Sequence, residues 1–312
     1  MDVEDRAGRL RSSLGKLPEG CDRNIVFIDQ TPCEGYIRYR IEYNTETDET
    51  VSAFLLMPDT AEGNLAAVVA AHQHNAQYDL GKSETAGLKG DTMYHYGKEM
   101  AELGFVVICP DHLGFEERLP APEDRYLSDD TGALNERELF CKAIMNGSTL
   151  QAKYLSDLSA AVDILCSLPS VDSSRIGVIG HSLGGQEALW LTFYDERVKA
   201  GVSSCGFSTV EAVFNHHIPH NFAMFTFGGL PAGDTVALLE EIGLAGKAFM
   251  LTNGLLDPIF PMDGVRKLER AAGAFRADDA FQMVVFEGQH SFPEEIRRKA
   301  YRFLADQLKA AE

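Results

Sequence analysis

A chain of 312 residues with 45% apolar and 24% charged side chains, 28 glycines and 12 prolines can bury a sizeable core. That balance excludes a fibre, a low-complexity tract or a disordered tail. A formal net charge of −19 excludes the usual polyanionic partners, nucleic acid and anionic membrane, and reads as a solubility feature.

No run approaches the roughly 18 apolar residues of a membrane span. Residues 1–17 alternate charged and small side chains and lack the apolar core of a secretory signal. The six cysteines, Cys21, Cys33, Cys109, Cys141, Cys166 and Cys205, lie far apart with no C-x-x-C pair. They read as reduced thiols in a cytoplasmic protein, not as a disulfide frame or a zinc site.

Residues 1–24 are polar with helical character and form an N-terminal arm. From 25 to 57 the pattern alternates, as in Tyr36-Ile37-Arg38-Tyr39 and Val51-Ser52-Ala53-Phe54. A polar turn at 44–50 lies between, which predicts an antiparallel hairpin ended by Pro58. The period then changes. Leu65–Ala71 is a continuous apolar run, as expected for a strand covered on both faces. A helix at 92–103, a buried strand at 105–110, an acidic loop at 114–135 and helical patterning over 136–168 follow. A strand through Arg175-Ile176-Gly177-Val178-Ile179 then enters a tight turn and a helix. The remaining elements are strands at 200–205, 248–253 and 281–286 and helices at 235–242, 263–272 and 294–308.

Residues 207–233, irregular and rich in Phe, His and Gly, read as a cap segment. This alternation predicts one α/β domain over 1–312. Its doubly wound, mainly parallel sheet carries an N-terminal antiparallel hairpin and a short cap insertion. Reactive residues in such a sheet gather at the carboxyl ends of its strands.

Three residues meet that condition. Ser182 stands in Gly180-His181-Ser182-Leu183-Gly184, a G-x-S-x-G turn between strand and helix. The glycines there leave room for a strained apex with the hydroxyl pointing outward. Asp257 follows the 248–253 strand in Asn253-Gly254-Leu255-Leu256-Asp257-Pro258, and His290 follows the 281–286 strand in Gly288-Gln289-His290. A serine hydroxyl is a weak nucleophile unless an imidazole accepts its proton and a carboxylate orients that imidazole. The chain order Ser, Asp, His suits this division of labour. Asp263 is the weaker alternative acid. The tetrahedral oxyanion needs donors as well. The backbone N–H of Leu183 is one; the loop His72-Gln73-His74-Asn75 supplies the other, His74 by position and Gln73 next.

These residues together resemble an α/β-hydrolase of the dienelactone hydrolase and acetyl xylan esterase (cephalosporin C deacetylase) group. The resemblance runs from about residue 65 to the C-terminus. It is carried by His72-Gln73-His74, Gly81-Lys82-Ser83, Asp111-His112-Leu113-Gly114-Phe115-Glu116-Glu117-Arg118, the serine turn through Gly185, Gly254 to Asp257 with Pro261, and Gly288 to Phe292. It implies the α/β-hydrolase fold and an oxyanion N–H from the residue two after the loop histidine, which is His74. The chain departs in carrying serine where dienelactone hydrolase itself carries a cysteine nucleophile. It also has His72-Gln73 where the loop commonly begins His-Gly.

Other features have simpler readings. His216, His217 and His220 form a His-His-x-x-His cluster, but Pro219 interrupts any helix and no carboxylate stands at ligand spacing, so no metal is expected. His217, Phe222 and Phe225 are the substrate-pocket candidates within the cap, beside Phe207, Phe214 and Phe227. Packing of these aromatics on the sheet is the equal alternative. Asp111 and Arg118 read as an ion pair bracing a loop; Lys82 resembles a phosphate loop only faintly; His72, His95, His112 and His181 read as structural. The expected function is hydrolysis of a small-molecule carboxylic ester, with small or acetylated substrates favoured and no cofactor. Acyl transfer or lactone cleavage on the same site and a silent binding module are the alternatives. The residues do not decide between a monomer and a homo-oligomer.

Overall fold

A computed structural model describes residues 6–59, 63–121, 131–217, 221–227, 234–277 and 279–309. Nine strands form one sheet in the order β1-β2-β3-β5-β4-β6-β7-β8-β9. They are β1 (Val26–Pro32), β2 (Tyr36–Glu46), β3 (Glu49–Pro58), β4 (Leu65–Ala71), β5 (Val106–Pro110), β6 (Val171–His181), β7 (Val198–Ser204), β8 (Ala248–Gly254) and β9 (Phe281–Phe286). Pairings from β1 to β5 through β3 are antiparallel. Those from β5 through β4 to β9 are parallel.

The helices are α1 (Arg6–Ser12), α2 (Lys82–Thr85), α3 (Tyr96–Glu102), α4 (Thr131–Met145), α5 (Leu150–Ser167), α6 (Leu183–Tyr194), α7 (Val210–Asn215), α8 (Asp234–Leu244), α9 (Met262–Lys267) and α10 (Glu294–Gln307). None among the described residues is long and apolar enough to cross a membrane.

β4 shows why the sheet is covered twice. Successive side chains of a strand point to opposite faces. Ala67, Val69 and Ala71 join one core with α1, α5, α6 and α8. Ala66, Val68 and Ala70 join a second core with α3 and α10. An unbroken apolar run is the sequence form of that double burial.

Four expectations need adjustment. The alternation beginning at residue 25 contains an extra strand, β1, whose residues are almost all exposed because it forms the sheet edge. The helix expected at 92–103 is a 3-10 turn, Thr92–Tyr94, capped by Asp91 accepting from the Met93 amide at 2.9 Å, and then α3. Helical patterning over 136–168 is two helices. Gly147, at φ +72°, turns the chain between them, and Thr149 caps α5 by accepting from the Ala152 amide at 3.1 Å. The 263–272 helix ends early, and Leu268–Ala274 continues as a 3-10 helix. Of the cap segment, residues 218–220 and 228–233 lie outside the described residues.

The expected Asp111–Arg118 ion pair is not formed. Asp111 Oδ2 instead meets Lys82 Nζ at 2.6 Å, and Oδ1 accepts from the Lys82 amide at 2.7 Å. Arg118 reaches only the backbone oxygen of Asp111, at 3.0 Å. Its charge goes to Asp157 Oδ2, at 2.7 Å, and to Glu49. Lys153 bonds the other Asp157 oxygen at 2.8 Å. Asp157 is 1% exposed, so removing a cation from beside it leaves a buried charge short of compensation. Arg118→Met is expected to cost about 3–5 kcal/mol on that ground. The measurement is the midpoint of urea unfolding, and an unchanged midpoint would mean that Lys153 alone suffices.

Candidate active site

Ser182 lies between β6 and α6 at φ +55° and ψ −119°, a backbone region that side chains avoid. The turn closes because nothing stands in its way. A Cβ at Gly184 would sit inside the contact radius of the Ala71 carbonyl oxygen, and one at Gly180 would fall 2.8 Å from the Gly184 Cα. The turn is further pinned by the Ser182 amide donating to the Ser204 carbonyl at 2.9 Å.

β8 and β9 bring the other two predicted residues together. Asp257 Oδ2 lies 2.9 Å from His290 Nδ1. Its Oδ1 accepts from the amides of Ile259 at 2.8 Å and Phe260 at 3.1 Å. Burial alone would raise the Asp257 carboxyl, but the His290 hydrogen bond and these two amides outweigh it and hold the group below the ordinary range. An ionised Asp257 accepts the Nδ1 proton of His290 and leaves Nε2 with its lone pair.

The two loops are tied to each other: the Leu255 amide donates to the Phe286 carbonyl at 2.8 Å, and the Leu256 amide to that of Gly288 at 2.9 Å. His290 packs against His181, ring centroids 4.7 Å apart, beside the serine. Burial drives His181 well below the ordinary histidine range, and repulsion from His290 adds to this. No hydrogen bond joins the Ser182 hydroxyl directly to His290 in this conformation; such contacts commonly tighten only with substrate seated.

Asp263 takes no part in this arrangement. It is exposed and pairs with His216 at 3.3 Å. His220 lies outside the described residues.

The 72–78 loop is held by its own side chains. His72 Nδ1 donates to the Gln73 carbonyl at 2.8 Å, and Nε2 accepts from the His112 amide at 3.0 Å. Gln73 bonds Glu84 at 3.0 Å. His74 Nδ1 accepts from the Ala76 amide at 3.0 Å, and Nε2 meets Glu136 Oε2 at 2.8 Å. The His74 amide bonds no acceptor among the described residues. Leu183 opens α6, where backbone N–H groups lack intrahelical partners.

The pocket candidates divide. Phe222 stacks on Phe140 at 5.0 Å and packs against the cluster that contains Leu183. Phe225 sits 6.0 Å from Phe140. His217 is exposed at φ +57°, and among the described residues nothing joins its imidazole to Ser182 or His290. Phe207 belongs to the main core, and the Phe227 amide donates to Ser13 of the N-terminal arm at 2.7 Å.

Two neighbours of the site went unrecognised in the sequence. Cys205 directly follows β7, at φ +44°, and its sulfur lies within 4.8 Å of the ligand atoms of Asp257 and His290. Burial pushes its thiol up to about 12. Asp257 and His290 already bond each other, and the thiol's hydrogen bond goes to the Ser291 carbonyl at 3.5 Å, so these atoms are engaged without a metal. Its position after a strand was the available signal. Glu136 had no such signal, since it follows an acidic loop on a helix far from any motif.

The sequence pattern of the family described as Dienelactone hydrolase matches residues 82–311. YtaP of Bacillus subtilis (strain 168), a protein named as a hydrolase, is 26% identical over 313 residues, covering 96% of this chain and 98% of its own. A Bacteroides fragilis structure described as an acetyl xylan esterase superposes with a TM-score of 0.72 at 15% identity, covering 96% of this chain and 81% of its own. Acetyl Xylan Esterase 1 from Thermoanaerobacterium sp. gives 0.66 at 16%, covering 99% of both chains. These structures share the α/β-hydrolase fold with this chain.

The depressed carboxyl of Asp257 has a consequence for stability. A group whose folded value is lowered stabilises the fold above its unfolded value, about pH 4, and that contribution disappears as acid protonates the folded state. Asp257→Asn should therefore melt below the wild type at neutral pH, with the gap narrowing once the pH falls under about 4. A melting-temperature gap that stays constant into strong acid would contradict the assignment.

Proposed function

The chain belongs to the dienelactone hydrolase family and is a hydrolase of the esterase type; from that premise we propose that it cleaves carboxylic esters through Ser182, His290 and Asp257. Ser182 attacks the carbonyl carbon while His290 Nε2 takes its proton, and Asp257 holds the ring and balances its charge. The amides of Leu183 and His74 receive the oxyanion. His290 returns the proton to the departing alcohol, then activates a water that releases the acyl group from Ser182. The observation carrying this reading is the 2.9 Å bond between Asp257 Oδ2 and His290 Nδ1, formed by residues from two strand ends. The strained serine beside them supports it.

A small acyl group, acetyl in the first instance, is the favoured substrate. Phe260, 5.8 Å from the His290 ring, and Gln186 of α6 line a half-open, mostly apolar cavity of about 40 Å³. The acetyl xylan esterases among the structural neighbours fit the same reading.

Wild type should turn over p-nitrophenyl acetate and be labelled by a fluorophosphonate. Ser182→Ala should abolish both, and Asp257→Asn should lower kcat by about 10³–10⁴. Turnover that survives Ser182→Ala would remove the serine from the mechanism. A wild type inert to every short ester would favour a binding role. A panel varying acyl length and alcohol, with acetylated sugars and lactones included, then separates substrate classes.

A further inference from the structure

Glu136 stands on α4, outside every motif, and the ester-cleaving steps do not use it. The residue is 4% exposed, yet its carboxylate accepts three hydrogen bonds from two distant segments. Oε2 takes the His74 Nε2 proton and the Tyr78 hydroxyl, each at 2.8 Å, and Oε1 takes the Phe222 amide at 3.1 Å. Burial would raise this carboxyl, but the hydrogen bond from His74, helped by those from the Phe222 amide and the Tyr78 hydroxyl, holds it below the ordinary range. The carboxylate is thus charged and fully engaged without a lysine or arginine among its hydrogen-bond partners.

The His74 ring is fixed from both sides. Nδ1 accepts from the Ala76 amide, so Nε2 carries the proton given to Glu136. Between ring and loop the backbone is strained. Asn75 at φ +42° and Ala76 at φ +52° are consecutive non-glycine residues in the left-handed region. Such a conformation persists only where surrounding bonds over-determine it. The Glu136–His74–Ala76 chain of hydrogen bonds is a restraint of that kind, and it ends on the residue whose amide faces no acceptor.

We propose that Glu136 is a positioning residue for the oxyanion hole: through the His74 ring it holds the strained loop so that the His74 amide points at the developing oxyanion. The proposal rests on the ester-cleaving assignment of Ser182, Leu183 and His74. Glu136→Gln keeps the shape but replaces one accepting oxygen with a donor. Deleting one oxyanion donor outright costs about 10²–10³ in kcat, and misaiming one should cost less, about 10–100-fold, with KM within about threefold. A trifluoromethyl ketone, whose serine adduct carries the same oxyanion, should lose affinity by the same factor as kcat/KM. The acid limb of the kcat/KM profile, which reports the general base, should stay in place.

His74→Phe leaves Glu136 its Tyr78 and Phe222 donors and should reproduce the loss, and the double variant should lose no more than the worse single one. This second variant carries the test if Glu136→Gln does not melt like the wild type. Wild-type kcat and inhibitor affinity in either folded variant would overturn the proposal. So would a kcat loss without an inhibitor loss, or unfolding of both variants, which would make the carboxylate a packing element only. If the wild type shows no Ser182-dependent turnover, the functional assignment itself fails first, and this proposal falls with it.

Discussion

The site depends on one close approach of backbone to backbone. At Gly184 the first turn of α6 lies against the end of β4, so near that even a single carbon on Gly184 would collide with the Ala71 carbonyl. Gly185 stands in the same relation to Gly206 after β7, where an added Cβ would meet the Gly206 Cα at 2.8 Å. These contacts press the helix into the carboxyl edge of the sheet. The chain reaches it only by passing through positive φ at Ser182. The strain at the serine is therefore the geometric result of seating α6 where it is seated. The neighbouring strand ends bring Asp257 and His290 to the same edge.

Electrostatics around that edge separates the histidines by environment. Burial leaves His72 lowered to about 4 and drives His112 and His181 well below their ordinary value. They act as neutral, shaped packing pieces; the His72 ring also bonds two backbone groups, and His181 the Ser204 hydroxyl. His290 is the one placed against a carboxylate at a strand end, with Asp257 kept ionised by its own loop amides. Two carboxylates near the site, Asp257 and Glu136, stay charged through hydrogen bonds instead of arginine or lysine partners. Each of them holds a histidine ring.

Much of this was legible in the sequence because it is local. Leu65–Ala71 and Phe281–Phe286 begin and end where their apolar runs do, and Asp257 and His290 follow their strands within a few residues. Helix breaks at 146–149 were also written in turn and capping residues, but uniform apolar spacing across them hid the boundary. The partnership of Asp111 with Lys82 was not readable, since Arg118 competed for it at closer sequence range and geometry decided otherwise. Strand β1 was missed as a separate element because an edge strand buries too little to impose a one-sided pattern. Glu136 lay beyond reach for a related reason: a single buried carboxylate has no period, and its partners stand 58 to 86 residues away.

Helix α6 is buried along its whole length from Leu183 to Phe193, with no face turned to solvent. In an interior packed to crystal-like density, almost any change of side-chain volume there strains or empties its surroundings. The described residues from 210 to 227 are mostly half-buried or exposed, and their changes disturb little beyond themselves. Mutational latitude is thus divided unevenly across the molecule. Variation on this scaffold is cheap in the half-exposed stretch after β7 and costly in the helix that seats Ser182.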